Sequence, residues 1–390
     1  MHIFESWVPI LTRHIPSLRE LDIDLSRTQD VMLMESHLFG GQPLRQLARL
    51  SLKNCIVPPK SNLLSTSLTH LSLAMGDYAD YEPEWMSTAK FRSHLKSVPN
   101  LEELRLSDVL PYHDRETVEP TFSFPPTFKK LHVHCSNELV SERCYSQFWT
   151  HFRIPNTAVV VSLVYDHSSG FRASQALKPL VELDPLDPPP MEMWISQTSM
   201  RICFGERPRD EWTRCLVIPS PADMRASDTW EGTGGSRALY TDGLTATDYV
   251  SHKAFDVVRA INFSLDAAEA YDTPTEPAGL WISKFDTNAL VKRISAPYTA
   301  CGKLFNALAQ RDTITGALRL FPQLEVIVFS DQTTVSGATL HTALDMALLD
   351  MLEVRREVGK AIRELLVARK MADWSVWENV GEGTYVTFFD

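Results

Sequence analysis

The sequence predicts an α/β fold of the solenoid kind, and three observations carry that reading. First, a turn followed by a short strand recurs with the pattern apolar-x-x-apolar-x-apolar. It follows a proline at Pro16-Ser17-Leu18-Arg19-Glu20-Leu21-Asp22-Ile23, at Pro99-Asn100-Leu101-Glu102-Glu103-Leu104-Arg105-Leu106 and at Pro322-Gln323-Leu324-Glu325-Val326-Ile327-Val328-Phe329. It recurs without the proline at Leu47-x-x-Leu50-x-Leu52, Leu68-x-x-Leu71-x-Leu73 and Phe128-x-x-Leu131-x-Val133. Second, the middle apolar positions Leu21, Leu50, Leu71, Leu104, Leu131 and Val161 stand 21 to 33 residues apart. Third, stretches with helical apolar spacing fall between these strands.

This is the pattern of leucine-rich repeats of a long, irregular kind. Alternation puts Leu104 and Leu106 on one face of a strand and Glu103, Arg105 and Ser107 on the other. Proline ends the preceding segment and feeds an extended one. One such strand buries almost nothing alone; stacked side by side, many bury a continuous core. The expected architecture is a horseshoe-like solenoid, with parallel strands on its concave face and helices on its convex face. Residues 1–168 read as N-terminal repeats, 169–247 as irregular repeats with Pro- and Gly-rich loops, and 248–390 as C-terminal repeats continuous with the same solenoid.

Taken in order, Phe4–Arg13 reads as the last helix of a repeat. Glu84–Val98 reads as a helix with Phe91, Leu95 and Val98 on one face, placing Arg92 and Lys96 on the side away from the strands. Ser141–Arg153 is a second helix: Cys144, Phe148 and Phe152 recur every four residues, widened by Tyr145 and Trp149, and Pro155 stops it. Its aromatic stripe reads as a packing face rather than a ligand box. Asp184–Pro190 is a proline-rich connection that suits neither a helix nor a central strand. Ile202-x-Phe204 and Leu216-x-Ile218 are expected strands, and Asp228–Gly235 a loop. Its Gly232-Thr233-Gly234-Gly235 lacks the flanking strand, helix and spacing of a phosphate cradle. Asp248–Arg259 reads as helical and leads to Ile261-x-Phe263, Ile294-x-Ala296 follows, and Cys301–Arg311 is helical. Leu340–Val358 is the longest helix, with Arg355 and Arg356 at its negative end and Gly359 beyond it. Ile362-x-x-Leu365-x-Val367 and Tyr385–Phe389 close the chain as strands.

Composition narrows the function classes. The net charge of −11 argues against nucleic acid or an anionic membrane as the main partner. Six cysteines, Cys55, Cys135, Cys144, Cys203, Cys215 and Cys301, lack framework spacing and read as reduced thiols in a cytoplasmic or nuclear protein. The start has no basic segment followed by an apolar run, and no stretch approaches the roughly 20 apolar residues of a membrane span.

The strand positions that face away from the core align into columns: Glu20, Arg49, His70, Glu103, Lys130; then Asp22, Ser51, Ser72, Arg105, His132; then Asp24, Lys53, Ala74, Ser107, His134. They read either as a solvated face with cross-strand pairs such as Glu20–Arg49 and Glu103–Lys130, or as a protein-binding surface. The binding candidates are Glu20, Asp22, Arg49, Lys53, His70, Glu103, Arg105, Lys130, His132 and His134. His132-x-His134 beside Cys135 could begin a zinc site, but no second ligand cluster accompanies it, so no metal is expected. Cys55, just after a strand, reads as a structural turn cap. No G-x-S-x-G elbow or Cys-His signature is present. The expectation is therefore a non-enzyme with no cofactor and no catalytic residue, a hydrolase being the remote alternative.

The chain resembles the leucine-rich-repeat region of F-box proteins of basidiomycete fungi. The resemblance rests on the Ile15-Pro16-Ser17-Leu18, Val98-Pro99-Asn100-Leu101 and Phe321-Pro322-Gln323-Leu324 strand starts. It rests also on Lys303-Leu304-Phe305-Asn306-Ala307-Leu308 before the Phe321 strand, and on the closing run from Leu348 to Gly359 followed by Ile362-Arg363-Glu364-Leu365. It implies a ubiquitin-ligase substrate receptor whose partner is a ubiquitination substrate. The F-box that would dock a cullin-ligase adaptor has no counterpart before Pro16, so a stand-alone interaction scaffold of the same fold is the alternative.

Overall fold

The computed structural model describes residues 12–25, 31–34, 38–58, 61–76, 86–112, 121–136, 142–165, 173–183, 188–204, 235–242, 252–271, 279–330 and 342–389. The expected helix at Phe4–Arg13 apart from its last two residues, the Leu216–Ile218 strand, Cys215 and nearly all of the glycine-rich segment lie outside them. The chain is mixed α/β and forms two compact units, residues 1–187 with 232–243, and residues 188–231 with 244–390. In each, a mostly parallel sheet carries the core, and among the described residues neither sheet closes on itself.

The strands of the first unit's main sheet are β1 Glu20–Asp24, β2 Arg49–Lys53, β3 His70–Ala74, β4 Glu103–Ser107, β5 Lys130–Cys135, β6 Val159–Tyr165 and, after chain assigned to the second unit, β9 Ser236–Asp242. They pair in the order β1-β2-β3-β4-β5-β6-β9, all parallel. The second unit holds β7 Pro190–Ile195, β8 Ser199–Phe204, β10 Ala260–Phe263, β11 Arg293–Pro297, β12 Val326–Ser330, β13 Glu364–Ala368 and β14 Tyr385–Phe389. Its order is β8-β7-β10-β11-β12-β13-β14, with β8 antiparallel to β7 and every other pair parallel. That one reversal is a hairpin over Gln197-Thr198. The Ser196 amide donates to the Ser199 carbonyl at 2.8 Å, and the Gln197 amide to Asp266 Oδ2 at 2.8 Å. Nothing in the sequence marked it, because the loop lacks glycine and asparagine. Pro190 opens β7, a central strand, where the expected connection was to extend through it; at a first position its missing N–H costs little.

The turn before eight of these strands, β1–β5 and β10–β12, repeats in its hydrogen bonds. A residue donates to the carbonyl three positions back at Leu18–Ile15, Leu47–Leu44, Leu68–Ser65, Leu101–Val98 and Phe128–Pro125. In the second unit the same bond forms at Val258–Phe255, Val291–Asn288 and Leu324–Phe321. The next two amides then donate together to one carbonyl of the preceding turn. Ala48 and Arg49 donate to Arg19, Thr69 and His70 to Ala48, Glu102 and Glu103 to Thr69, and Lys129 and Lys130 to Glu102. Lys292 with Arg293, Glu325 with Val326 and Arg363 with Glu364 repeat it in the second unit.

Strand ends in the first unit share another device. Asn54 and Asp108, one residue past β2 and β4, adopt φ 57° and 55°. Asn54 Oδ1 accepts the Gly76 amide at 2.6 Å, and Asp108 Oδ1 accepts the Ser136 amide at 2.5 Å. Asparagine and aspartate are the side chains that best tolerate this left-handed backbone. The turn cap expected at Cys55 therefore belongs to Asn54. Cys55 lies beside it, donates to the Lys53 carbonyl, and has a thiol pushed up to about 12 by burial, with Asp24 adding to the effect.

Eight helices stand among the described residues: α1 Thr88–Ser97, α2 Glu142–His151, α3 Ala173–Ala176, α4 Lys178–Val181, α5 Leu265–Tyr271, α6 Gly279–Phe285, α7 Gly302–Ala309 and α8 Thr342–Glu357. Ser87 caps α1 by accepting the Lys90 amide. Phe91 and Leu95 are buried as expected, but so is Arg92, which leaves Lys90 and Lys96 as the exposed cations of α1. In α2 the aromatic stripe packs inward: Phe148 stacks on Phe152, and the Tyr145 hydroxyl meets Ser162 Oγ at 2.8 Å and the Ala176 carbonyl at 3.2 Å. The helix expected over Asp248–Arg259 is absent from the described 252–259, where Lys253–Phe255 makes one 3₁₀ turn.

Two fully buried arginines tie loops to the cores. Arg237, on β9, donates to the Pro179, Glu182 and Ile154 carbonyls and to Asn156 Oδ1, at 2.8 to 3.1 Å. Arg355, near the end of α8, was expected to answer the helix dipole. Instead it donates to the Leu308, Leu320 and Phe321 carbonyls, and burial draws it down to about 10. Gly359 holds φ 68° beyond α8, with the Lys360 amide on the Arg355 carbonyl, which closes the helix as expected.

Leu104 is 0% exposed on the core face of β4, whereas Ser72 on β3 faces the other way. Leu104→Ala is expected to cost about 2–5 kcal/mol in urea unfolding, and Ser72→Ala less than about 0.5 kcal/mol. Equal losses would mean that the two faces are assigned wrongly.

Candidate functional site

The candidate surface is the face of β1–β5 that points away from the core. It exists because each strand alternates: Leu21, Leu50, Leu71, Leu104 and Leu131 align on the core side, and polar residues fill the positions between. The register sets Glu20, Arg49, His70, Glu103 and Lys130 side by side. Asp22, Ser51, Ser72, Arg105 and His132 make a second column, and Asp24, Lys53, Ala74, Ser107 and His134 a third. These are the columns expected from the sequence, and all ten candidate residues lie in them. Glu20, Asp22 and Arg49 are exposed, and the remaining seven are half-buried.

Glu103 is the electrostatic centre of the face. Its Oε1 accepts from Arg105 Nε at 2.6 Å, and its Oε2 lies 3.7 Å from His70 Nε2. Partial burial pulls its pKa upward. The Arg105 hydrogen bond and charge outweigh that pull, with Lys130 and His70 adding to them, and hold the carboxyl below its usual range. The cross-strand pair expected between Glu103 and Lys130 does not form as a contact. Arg105, two residues along the same strand, reaches the carboxylate instead, and Lys130 acts on it from a greater distance. The expected Glu20–Arg49 pair is present at 3.6 Å, with both side chains well exposed, so it contributes little.

The imidazoles are held by neighbours. His70 Nδ1 meets Thr69 Oγ1 at 2.8 Å. His134 Nδ1 meets Ser107 Oγ at 2.8 Å and lies 4.0 Å from Asp108 Oδ2, and its ring packs edge-on against Tyr165 at 5.3 Å. Asp108 thus serves both the strand-end turn and the edge of the candidate face, a role the sequence reading missed. Cys135, next to His134, is buried on the core side of β5, and its thiol is driven well above the usual range by burial and by Asp108 and Cys144. Among the described residues no three His, Cys, Asp or Glu side chains gather as a metal ion would require.

The polar face stops at β6. The register pairs Leu131 with Val160, not with Val161 as the spacing implied. Val161 continues the His132 column, flanked by Val159 and Leu163, and all three are buried. A strand apolar on both faces carries no alternation from which to read its register. In the second unit the corresponding positions are Trp194, Asn262, Ser295 and Val328, again buried. At β13 and β14 the outward positions open again, with Glu364 and Leu366 half-buried and Tyr385 and Thr387 exposed. What distinguishes β1–β5 is that their columns are polar at every position but Ala74.

No known protein-family model matches the chain, and no curated protein matches it. Among the described residues no helix is long and apolar enough to cross a membrane.

Glu103 gives a pH test. A carboxyl held low in the folded state stabilises that state fully above its unfolded value of about 4.3, and the gain is lost as the pH falls through the lower folded value. Glu103→Gln is therefore expected to cost roughly 1 kcal/mol in urea unfolding at pH 7 and to approach wild type near pH 3. A deficit of equal size at both values would detach Glu103 from its partners.

Proposed function

We propose that this chain is a non-enzymatic protein-recognition module that receives its partner across the outer face of β1–β5. The observation that carries the reading is the registered array itself. Five adjacent parallel strands present three columns of side chains, polar at every position but Ala74, over a closely packed apolar core. Such an array offers a broad, rigid platform on which a partner meets residues from several repeats at once. The recurring turns and strands support a leucine-rich-repeat solenoid. The resemblance to F-box proteins supports a ubiquitin-ligase substrate receptor of the cytoplasm or nucleus, with a ubiquitination substrate as partner.

The test is affinity capture from a reducing extract. Arg105→Glu with Lys130→Glu is expected to lower partner recovery at least fivefold while circular dichroism stays native. Lys90→Glu with Lys96→Glu, on the exposed side of α1, is expected to leave recovery unchanged. Loss confined to the α1 pair would move recognition off the strand face. Co-recovery of cullin and its adaptor would support the receptor role, and partners without them a stand-alone scaffold.

A further inference from the structure

The charges of the β1–β5 face are ordered, and the order specifies a partner. On β1 every outward side chain is a carboxylate, Glu20, Asp22 and Asp24. Across β2–β5 the cations Arg49, Lys53, Arg105 and Lys130 stand against one outward carboxylate, Glu103, which Arg105 already engages. His70, His132 and His134 fill positions among them and add hydrogen-bonding capacity. Asp108, one residue past β4, is only 3% exposed and turned into the strand-end loop. Lys53 and Lys130 take no part in the ion pairs formed among the described residues. The chain as a whole carries −11, so a cationic field over four adjacent strands runs against its general charge.

We infer that the partner is an acidic peptide segment lying across the strands, with a basic residue at the end above β1 and two or more carboxylates above β2–β5. This deepens the proposed recognition role and rests on it. The dimensions fit. Five strands about 4.8 Å apart span roughly 19 Å, the length of about six extended residues. Side chains on one side of an extended segment recur about every 6.6 Å, so alternate residues reach successive parts of the face. Opposite charges at both ends fix the direction of the segment as well as its attraction, because a reversed segment sets carboxylates against Glu20, Asp22 and Asp24.

The test is selection of a random twelve-residue display library on the full chain in reducing buffer. Enriched peptides are expected to carry at least two Asp or Glu and a Lys or Arg at one flank. They should bind Arg105→Glu with Lys130→Glu at least tenfold more weakly in fluorescence anisotropy, and weaken as salt is raised from 50 to 300 mM. Asp22→Lys should abolish the preference for the basic flank without weakening the acidic part, provided circular dichroism shows the variant folded. Enriched peptides that are neutral or basic, yet are lost on the double variant, would leave recognition on the strand face and overturn the acidic partner. Peptides indifferent to the double variant, or no enrichment, would overturn both.

Discussion

At the start of half of the labelled strands, two consecutive amides share one carbonyl of the preceding turn, and the register of the rest follows from that bond pair. A carbonyl oxygen has two acceptor sites, and here both are used. Two donors one residue apart, both directed at one oxygen, restrict the offset of each strand from the last. With offset fixed, Leu50, Leu71, Leu104 and Leu131 meet in a line, and so do the polar residues beside them. The core and the candidate surface are two faces of one register. A slip of a single residue would exchange them.

The buried polar groups serve the same end where the turns differ. Asn54 and Asp108 take a backbone conformation costly for most residues and use the side chain to hold an amide of the next strand's end. Arg237 and Arg355 each sit on the core side of their unit, with a guanidinium gathering carbonyls from helices and turns beside the strands. A buried cation is tolerable only with such partners. These four residues turn irregular connections into fixed ones. Irregular repeats can thus share a regular sheet.

The sequence made the strands and their columns readable wherever apolar and polar residues alternate, from Leu21 to Val133 and again at Ile327–Phe329 and Leu365–Val367. It failed where alternation is lost. Val159–Val161 is apolar on both faces, so its register was one residue off. Ser236–Asp242 places Arg237 toward the core, where the pattern asks for an aliphatic residue, so that strand went unseen. The Gln197-Thr198 hairpin lacks turn-forming residues, and the apolar spacing of 248–259 suggested more helix than the single 3₁₀ turn in its described part. The columns of the face were readable, but the pairing at its centre was not: Glu103 is held by Arg105 on its own strand rather than by Lys130 across from it. Arg92 and Arg355 show the complementary limit: a charged residue at a plausible surface position of a helix can be buried when carbonyls or packing receive it.

The register is open to direct measurement by paired cysteines on the outer face. Ser51 and Ser72 are direct partners on β2 and β3, whereas Ser51 and Ala74 are offset by two residues. Neighbouring strands about 4.8 Å apart allow a disulfide between direct partners, while the offset pair, at about 8 Å between Cα atoms, lies beyond bridging range. Under mild oxidation, Ser51→Cys with Ser72→Cys is expected to cross-link rapidly and without loss of native circular dichroism. Ser51→Cys with Ala74→Cys should remain reduced. Preferential cross-linking of the offset pair would contradict the register, and with it both the core and the surface built upon it.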